Sequence, residues 1–207
     1  MELIAILSDS QRFLNSTSYR LADLATLHNM CMKTNAVTMS YALFDMKSYV
    51  KKGDDQALVV QQVGKLMYKN VVSFQNELEP LQPFLVRCLA KEIPLLTEFI
   101  ATLQPEEFTD IRRGGLQQAR NGVLSIYYGN LQILSNPDLK KPFKEKIVEA
   151  LADAAAPLAS IIQPAARQQI WDLATTIQKT RSGTMDSNLR KIIEVMSATE
   201  CVGLCKL

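Results

Sequence analysis

Pro142-Phe143-Lys144-Glu145-Lys146-Ile147-Val148-Glu149-Ala150-Leu151-Ala152-Asp153-Ala154-Ala155-Ala156-Pro157-Leu158 decides the fold class. Phe143, Ile147, Leu151, Ala154 and Leu158 recur three or four positions apart, which lines one stripe of an α-helix and fits no strand. Asn136-Pro137 starts this element. Pro157 predicts a kink inside it, because a proline has no N–H to return to the preceding turn.

Outward from there the same period recurs nearly end to end. Phe13, Leu14, Leu21, Leu24, Leu27, His28 and Cys31 predict a first helix from about residue 9 to about 32. Val37, Tyr41 and Phe44 carry a second, separated from the first by a short break near Lys33 to Asn35 and closed at Lys51-Lys52-Gly53. Two cations suit a helix C-terminus, and glycine suits the left-handed cap. Asp54-Asp55 caps a third helix with Leu58, Val59, Leu66, Val71 and Phe74. Pro83 opens the next, with Phe84, Cys88, Leu95, Phe99 and Leu103, and Pro94 predicts a kink in it.

Beyond Gln104-Pro105, Arg112-Arg113-Gly114-Gly115 reads as a helix C-cap and turn, followed by a helix through Leu116, Ala119, Val123, Ile126 or Tyr127, and Leu134. Gln163-Pro164 opens a helix with Ile170, Leu173 and Ile177 that ends at Ser182-Gly183-Thr184. A last helix, capped by Asp186 or Ser187, carries Leu189, Ile192, Ile193 and Met196 and fades near Cys201. No period-two run of useful length exists. The expected fold is therefore all-α: an irregular or duplicated antiparallel bundle of about seven helices, with 1–207 as a single all-helical domain. Pro83-Phe84, Pro94-Leu95 and Gln104-Pro105 are echoed by Pro142-Phe143, Pro157-Leu158 and Gln163-Pro164. That echo suggests an internal duplication of 80–135 and 137–196.

At 207 residues and 47% hydrophobic, the chain has ample apolar surface for a core. Its 23 basic and 21 acidic residues nearly cancel, with a mild excess of base after Thr109 that falls short of the concentrated basic face of a nucleic-acid binder. No apolar run approaches the roughly 20 residues needed to span a bilayer, so neither nucleic acid nor membrane is an expected partner. The N-terminal Leu3-Ile4-Ala5-Ile6-Leu7 run lacks the basic flank of a secretion signal, which makes a soluble, cytoplasmic protein the expectation. In that reducing compartment the four cysteines, at 31, 88, 201 and 205, would stay as thiols.

Candidate chemistry is sparse. His28 and Cys31, three positions apart on one face, admit a thiol activated by an imidazole, but Leu24, Leu27 and Cys31 around the histidine fit a hydrogen-bonded core histidine better. Cys201 and Cys205 with His28 and Cys31 would complete four zinc-type ligands, but the spacing is looser than compact zinc pairs. One histidine cannot furnish a di-iron bundle, and no P-loop, dinucleotide fingerprint, nucleophile elbow or zincin motif appears. No catalytic set, metal site or cofactor is expected. Lys140, Lys141, Lys144 and Lys146 form a basic cluster that suits a solvated helix face or an acidic surface. The terminal Cys205-Lys206-Leu207 is close to a peroxisomal address. Tyr127 and Tyr128 are adjacent in a helix, so one of them must face outward, and with Arg120 they make the candidate contact surface.

The expected function follows from that sparseness. A helical scaffold without a reactive constellation suits a non-enzymatic protein-binding module, such as an adaptor, inhibitor, chaperone or toxin-neutralising partner. Its partner is another protein, or a second copy in a homo-oligomer. The alternative is a small-ligand-binding protein or enzyme with a pocket beside His28 and Cys31, using carbonyls freed by Pro94 and Pro157.

Overall fold

A computed structural model of the chain describes residues 19–179, 183–198 and 204–206. Among these residues no strand forms. After a 3-10 turn at Leu21–Asp23 come α1 (Leu24–Ala42), the single turn α2 (Met46–Tyr49), α3 (Gln56–Ser73), the single turn α4 (Gln75–Leu78) and α5 (Leu81–Ala101). A 3-10 turn at Pro105–Glu107 leads to α6 (Asp110–Ile133), α7 (Lys141–Ile161), α8 (Pro164–Gln178), α9 (Thr184–Ser197) and a closing 3-10 turn at Leu204–Lys206. The seven long helices run from 14 to 24 residues, and the class is all-α as the periodicity requires.

The helix starts are chemically legible. The Asp55 carboxylate accepts the Leu58 N–H at 2.8 Å, satisfying one of the donors that a first turn leaves unpaired. Thr109 does the same for α6 through Arg112. Pro142 and Pro164 occupy first turns, where the missing N–H costs nothing.

Five local expectations are corrected. α7 begins at Lys141 and not at Asn136-Pro137, where the Asn136 side chain accepts the Asp138 N–H at 2.9 Å and holds a turn. α9 is entered through Gly183, so Asp186 and Ser187 lie inside it, and Asp186 accepts from Gln178 and Arg190 instead of capping. The helix expected over 9–32 is not continuous: Tyr19 and Arg20 are non-helical, the Asp23 carboxylate accepts the Arg20 N–H at 2.8 Å, and α1 starts at Leu24; residues 9–18 lie outside the described residues. The break near Lys33 to Asn35 is absent, because Thr34 and Thr38 turn their hydroxyls back onto the carbonyls of Met30 and Thr34 and stay buried within α1. Arg112-Arg113-Gly114-Gly115 is helix interior instead of a cap and turn. Leu116, Arg120, Tyr127 and Leu131 continue one buried stripe in phase, and that packing overrides the weak propensity of two glycines. The left-handed backbone appears instead at Gly53, φ 102°, and Gly183, φ 68°. The end of the sequence's penultimate helix at Ser182 and the fading of its last near Cys201 lie outside the described residues.

α7 is the spine. Ile147, Val148, Ala150, Leu151, Ala155 and Ile161 have no exposed surface, and the helix packs against α5, α6 and α9. A second, smaller core sits between α1 and α5, built on Leu27, Cys31, Phe84, Leu85, Cys88, Leu89 and Leu95. There the expectation of free thiols fails: Cys31 and Cys88 form a disulfide with Cα atoms 5.6 Å apart. Two apolar stripes bring these sulfurs together, and a separation of 57 residues gives no hint of it. Cys205 is disulfide-bonded as well.

α5 and α7 lie side by side and advance in the same direction. Glu79 meets Lys146 near their starts, and further along Arg87 meets Glu149 and Asp153. The echoed prolines keep their interior places in two 21-residue helices. Their last members differ, since Pro105 opens a 3-10 turn and Pro164 an α-helix.

Candidate functional site

Because α5 and α7 run parallel with α6 packed against α7, their outer flanks leave a furrow. On α5 and the turn before it, Pro80, Pro83, Phe84, Arg87, Ala90 and Lys91 recur at helical spacing; on α7 the matching stripe is Lys146, Glu149, Asp153 and Pro157. The space between them is about 850 Å³ and open to solvent, at the upper end of what ligand clefts occupy. Eleven residue-to-residue steps on each side, from Pro80 to Lys91 and from Lys146 to Pro157, make it roughly 16 Å long at about 1.5 Å per residue.

Its chemistry is graded across the width. Pro80, Pro83, Phe84, Ala90 and Pro157 supply apolar surface. The α5 wall carries Arg87 and Lys91, and the α7 wall carries Glu149 and Asp153, so the two walls bear opposite charge. Arg87 spans the furrow to Glu149 at 3.6 Å and to Asp153 at 3.9 Å, with all three side chains substantially exposed. Such loose, wet pairs contribute little to folding and yield readily to a competitor. Lys146 and Glu79 close one end with a 2.5 Å ion pair.

The internal prolines add acceptors. Pro94 has no N–H for the carbonyl of Ala90, and Pro157 has none for that of Asp153, four residues earlier in each case. Ala90 and Asp153 both line the furrow. Each wall therefore holds a helix carbonyl without its usual partner.

The residues singled out from the sequence lie elsewhere. His28 is exposed, and its Nδ1 pairs with Glu92 Oε1 at 2.7 Å, so it is neither a core histidine nor poised beside the buried Cys31. The Cys31 sulfur is consumed in the disulfide and offers neither a thiolate nucleophile nor a zinc ligand. Cys201 lies outside the described residues, and among the described residues no group of three or more His, Cys, Asp or Glu has metal-binding geometry.

Arg120 and Tyr127, expected on a contact surface, are inside, at 5% and 2% exposure. Arg120 donates from Nε to the Ile161 carbonyl at 2.8 Å and from Nη2 to the Leu204 carbonyl, and burial lowers its pKa. Tyr127 donates its hydroxyl to the Leu151 carbonyl at 2.9 Å, and burial pushes its phenol well up. Tyr128 is half-buried on the large core, the outcome that adjacency in a helix dictates.

The lysine cluster is likewise dispersed. Lys140 holds Gln75 and Asn76, Lys146 holds Glu79, and Lys144 is buried. Of the furrow's residues, sequence reasoning picked out Lys146 and the carbonyl-freeing Pro157. Arg87, Glu149 and Asp153 were missed, although their spacing within each helix was readable; what was missing was which two helices lie together.

No protein-family model, curated protein or solved structure matches the chain.

Proposed function

We propose that the protein is a non-enzymatic binding module that receives an amphipathic helix of another protein in the α5–α7 furrow. The observation that carries this reading is the pairing of an apolar floor with walls of opposite charge. A helix laid along it matches with a narrow apolar seam, acidic residues on the edge beside Arg87 and Lys91, and basic residues on the edge beside Glu149 and Asp153. Lysine and arginine on that second edge also come beside the Asp153 carbonyl, to which Pro157 cannot donate. The weak ion pairs across the furrow open at low cost to admit the guest.

The test uses the intact protein as bait, with photo-cross-linking from Ala90 and from Asp153. The expected result is one partner cross-linked through a single helical segment with the stated edges. Glu149→Lys with Asp153→Lys should abolish its capture, while Lys179→Glu, on exposed surface at the end of α8, leaves it intact. Undiminished capture by the double variant would remove the furrow from the reading.

A further inference from the structure

The described chain begins at the rim of the furrow. Tyr19, its first residue, packs on the small core, and the Lys91 ammonium sits over its ring, 5.6 Å from the centroid. Lys91 also closes the α5 wall of the furrow. Arg20 is extended, with φ −114° and ψ 160°, so the chain ahead of it does not continue the axis of α1. Five residues reach up to about 17 Å, further than the roughly 10 Å across a helix. The short link from Leu14 to Tyr19 is therefore long enough to cross α5 and enter the furrow beside Lys91 and Pro157.

The sequence ahead of Tyr19, outside the described residues, has the pattern that the furrow selects. At about 100° per residue Leu3, Leu7 and Leu14 fall within about 40° of one another, a narrow seam flanked by Ile4 on one side and by Ile6 and Phe13 on the other. Glu2 and Asp9 lie beyond Ile6 and Phe13, so both acids share one edge, and Arg12 lies nearly opposite the seam. Leu3 to Leu14 is eleven steps, the same roughly 16 Å as the furrow.

The handedness of the helix then fixes the direction. Viewed from a helix N-terminus, successive residues turn clockwise. On α5 the furrow stripe is preceded in that sense by the face towards the large core, with Val86 and Ile93, and followed by the face towards α1, with Cys88 and Leu95. With the furrow opening upward, α5 therefore stands to the right of α7. A segment laid in parallel to both, leucine seam down and Leu14 at the Lys91 end, carries Glu2 and Asp9 on its right edge, beside Arg87 and Lys91. Reversed, it would set those acids against Glu149 and Asp153. The entry point and the charges thus select the same direction. We infer that residues 3–14 of this chain occupy the furrow in cis, as a helix parallel to α5 and α7, and exclude the outside partner until it displaces them. The inference rests on the reading of the furrow as a groove that accepts a helix. With so short a link the effective concentration is of order 1 mM, so a segment with a Kd of about 0.1 mM is docked in about nine chains of ten and raises the partner's apparent Kd about tenfold.

Cross-linking within the purified full-length chain tests it, with photo-reactive residues at Ala90 and at Asp153 in separate preparations. Both positions lie towards the Lys91 end of the furrow, so both should cross-link inside residues 7–14. In an equal mixture of isotope-labelled and unlabelled chains, each cross-linked pair should carry a single label. Leu3→Asp with Leu7→Asp should abolish these cross-links and raise capture of the partner about tenfold, while Ala5→Gln, opposite the seam, changes neither. Asp9→Lys, a milder lesion that leaves the seam intact, should lower the cross-link yield as well. No cross-link to the segment, cross-links confined to Leu3 and Ile4, or pairs of mixed label would each overturn the inference, and partner capture by the same preparations would then leave the reading of the furrow standing. Cis cross-links with no partner captured, even by the double leucine variant, would uphold the inference and remove the outside guest.

Discussion

Cys31 on α1 and Cys88 on α5 are joined sulfur to sulfur in the centre of the small core, across 57 residues of chain. The bond ties the first long helix to the helix that forms one wall of the furrow. A cross-link of that span restricts the unfolded chain far more than the folded one.

Replacing both cysteines by alanine should therefore lower the unfolding free energy by about 2–5 kcal/mol, read from urea midpoints of oxidised and variant protein at equal slope. Equal midpoints would mean that the bond adds no stability. Buried disulfides persist where the surroundings are oxidising, so a non-reducing gel of protein taken from its own cells should show the oxidised form, against the sequence-based expectation of thiols in a cytoplasm.

Arg120→Met should cost about 2–4 kcal/mol, because it removes charge-assisted hydrogen bonds to the Ile161 and Leu204 carbonyls and leaves buried acceptors behind. Arg120→Lys should not rescue it, since a point ammonium cannot reach both carbonyls as the planar guanidinium does. Hydrogen exchange supplies a second readout: the Leu204–Lys206 turn should lose protection with either variant.

The raised pKa of the Tyr127 phenol fixes a pH dependence. An unfolded tyrosine ionises near pH 10 while the buried one stays neutral. The stability it confers is complete below about pH 10 and falls above it, by about 1.4 kcal/mol per pH unit. Tyr127→Phe should cost about 1 kcal/mol at neutral pH through the lost bond to Leu151. It should also flatten the alkaline decline relative to the native protein, as urea titrations between pH 9 and about 11 would reveal. Parallel declines would remove Tyr127 as the source.

Arg87→Ala, Glu149→Ala and Asp153→Ala should each change stability by less than about 1 kcal/mol, because these ion pairs are long and exposed. Denaturant curves check this, and a larger loss would make the charges props of the α5–α7 packing instead of contacts available to a guest.

Much of the architecture is readable without coordinates where a local rule decides it. The face Phe143, Ile147, Leu151, Ala154 and Leu158 is buried as its spacing demands, and Asp55 and Pro164 start helices where their chemistry says they should. Gly114-Gly115 misled because a glycine pair is a weak local signal, and the buried stripe from Leu116 to Leu131 carried α6 through it. Arg120 misled for the opposite reason. A lone arginine on a helix reads as exposed until two carbonyls from α7 and the C-terminal turn are found around it.

The sequence by itself determined that this chain is helical, where the helices after Asp55, near Pro83 and at Pro164 begin, and that Pro94 and Pro157 cannot donate to the carbonyls four residues before them, because all of these depend on residues within a turn or two of one another. Only the tertiary structure decided that α5 and α7 lie parallel, that Cys31 meets Cys88, that Arg120 and Tyr127 face inward, and that Arg87 opposes Glu149 and Asp153. Each of those depends on which apolar stripe packs against which. Helices of similar amphipathicity are nearly interchangeable one at a time, and the choice among pairings is made by the summed fit of the whole core.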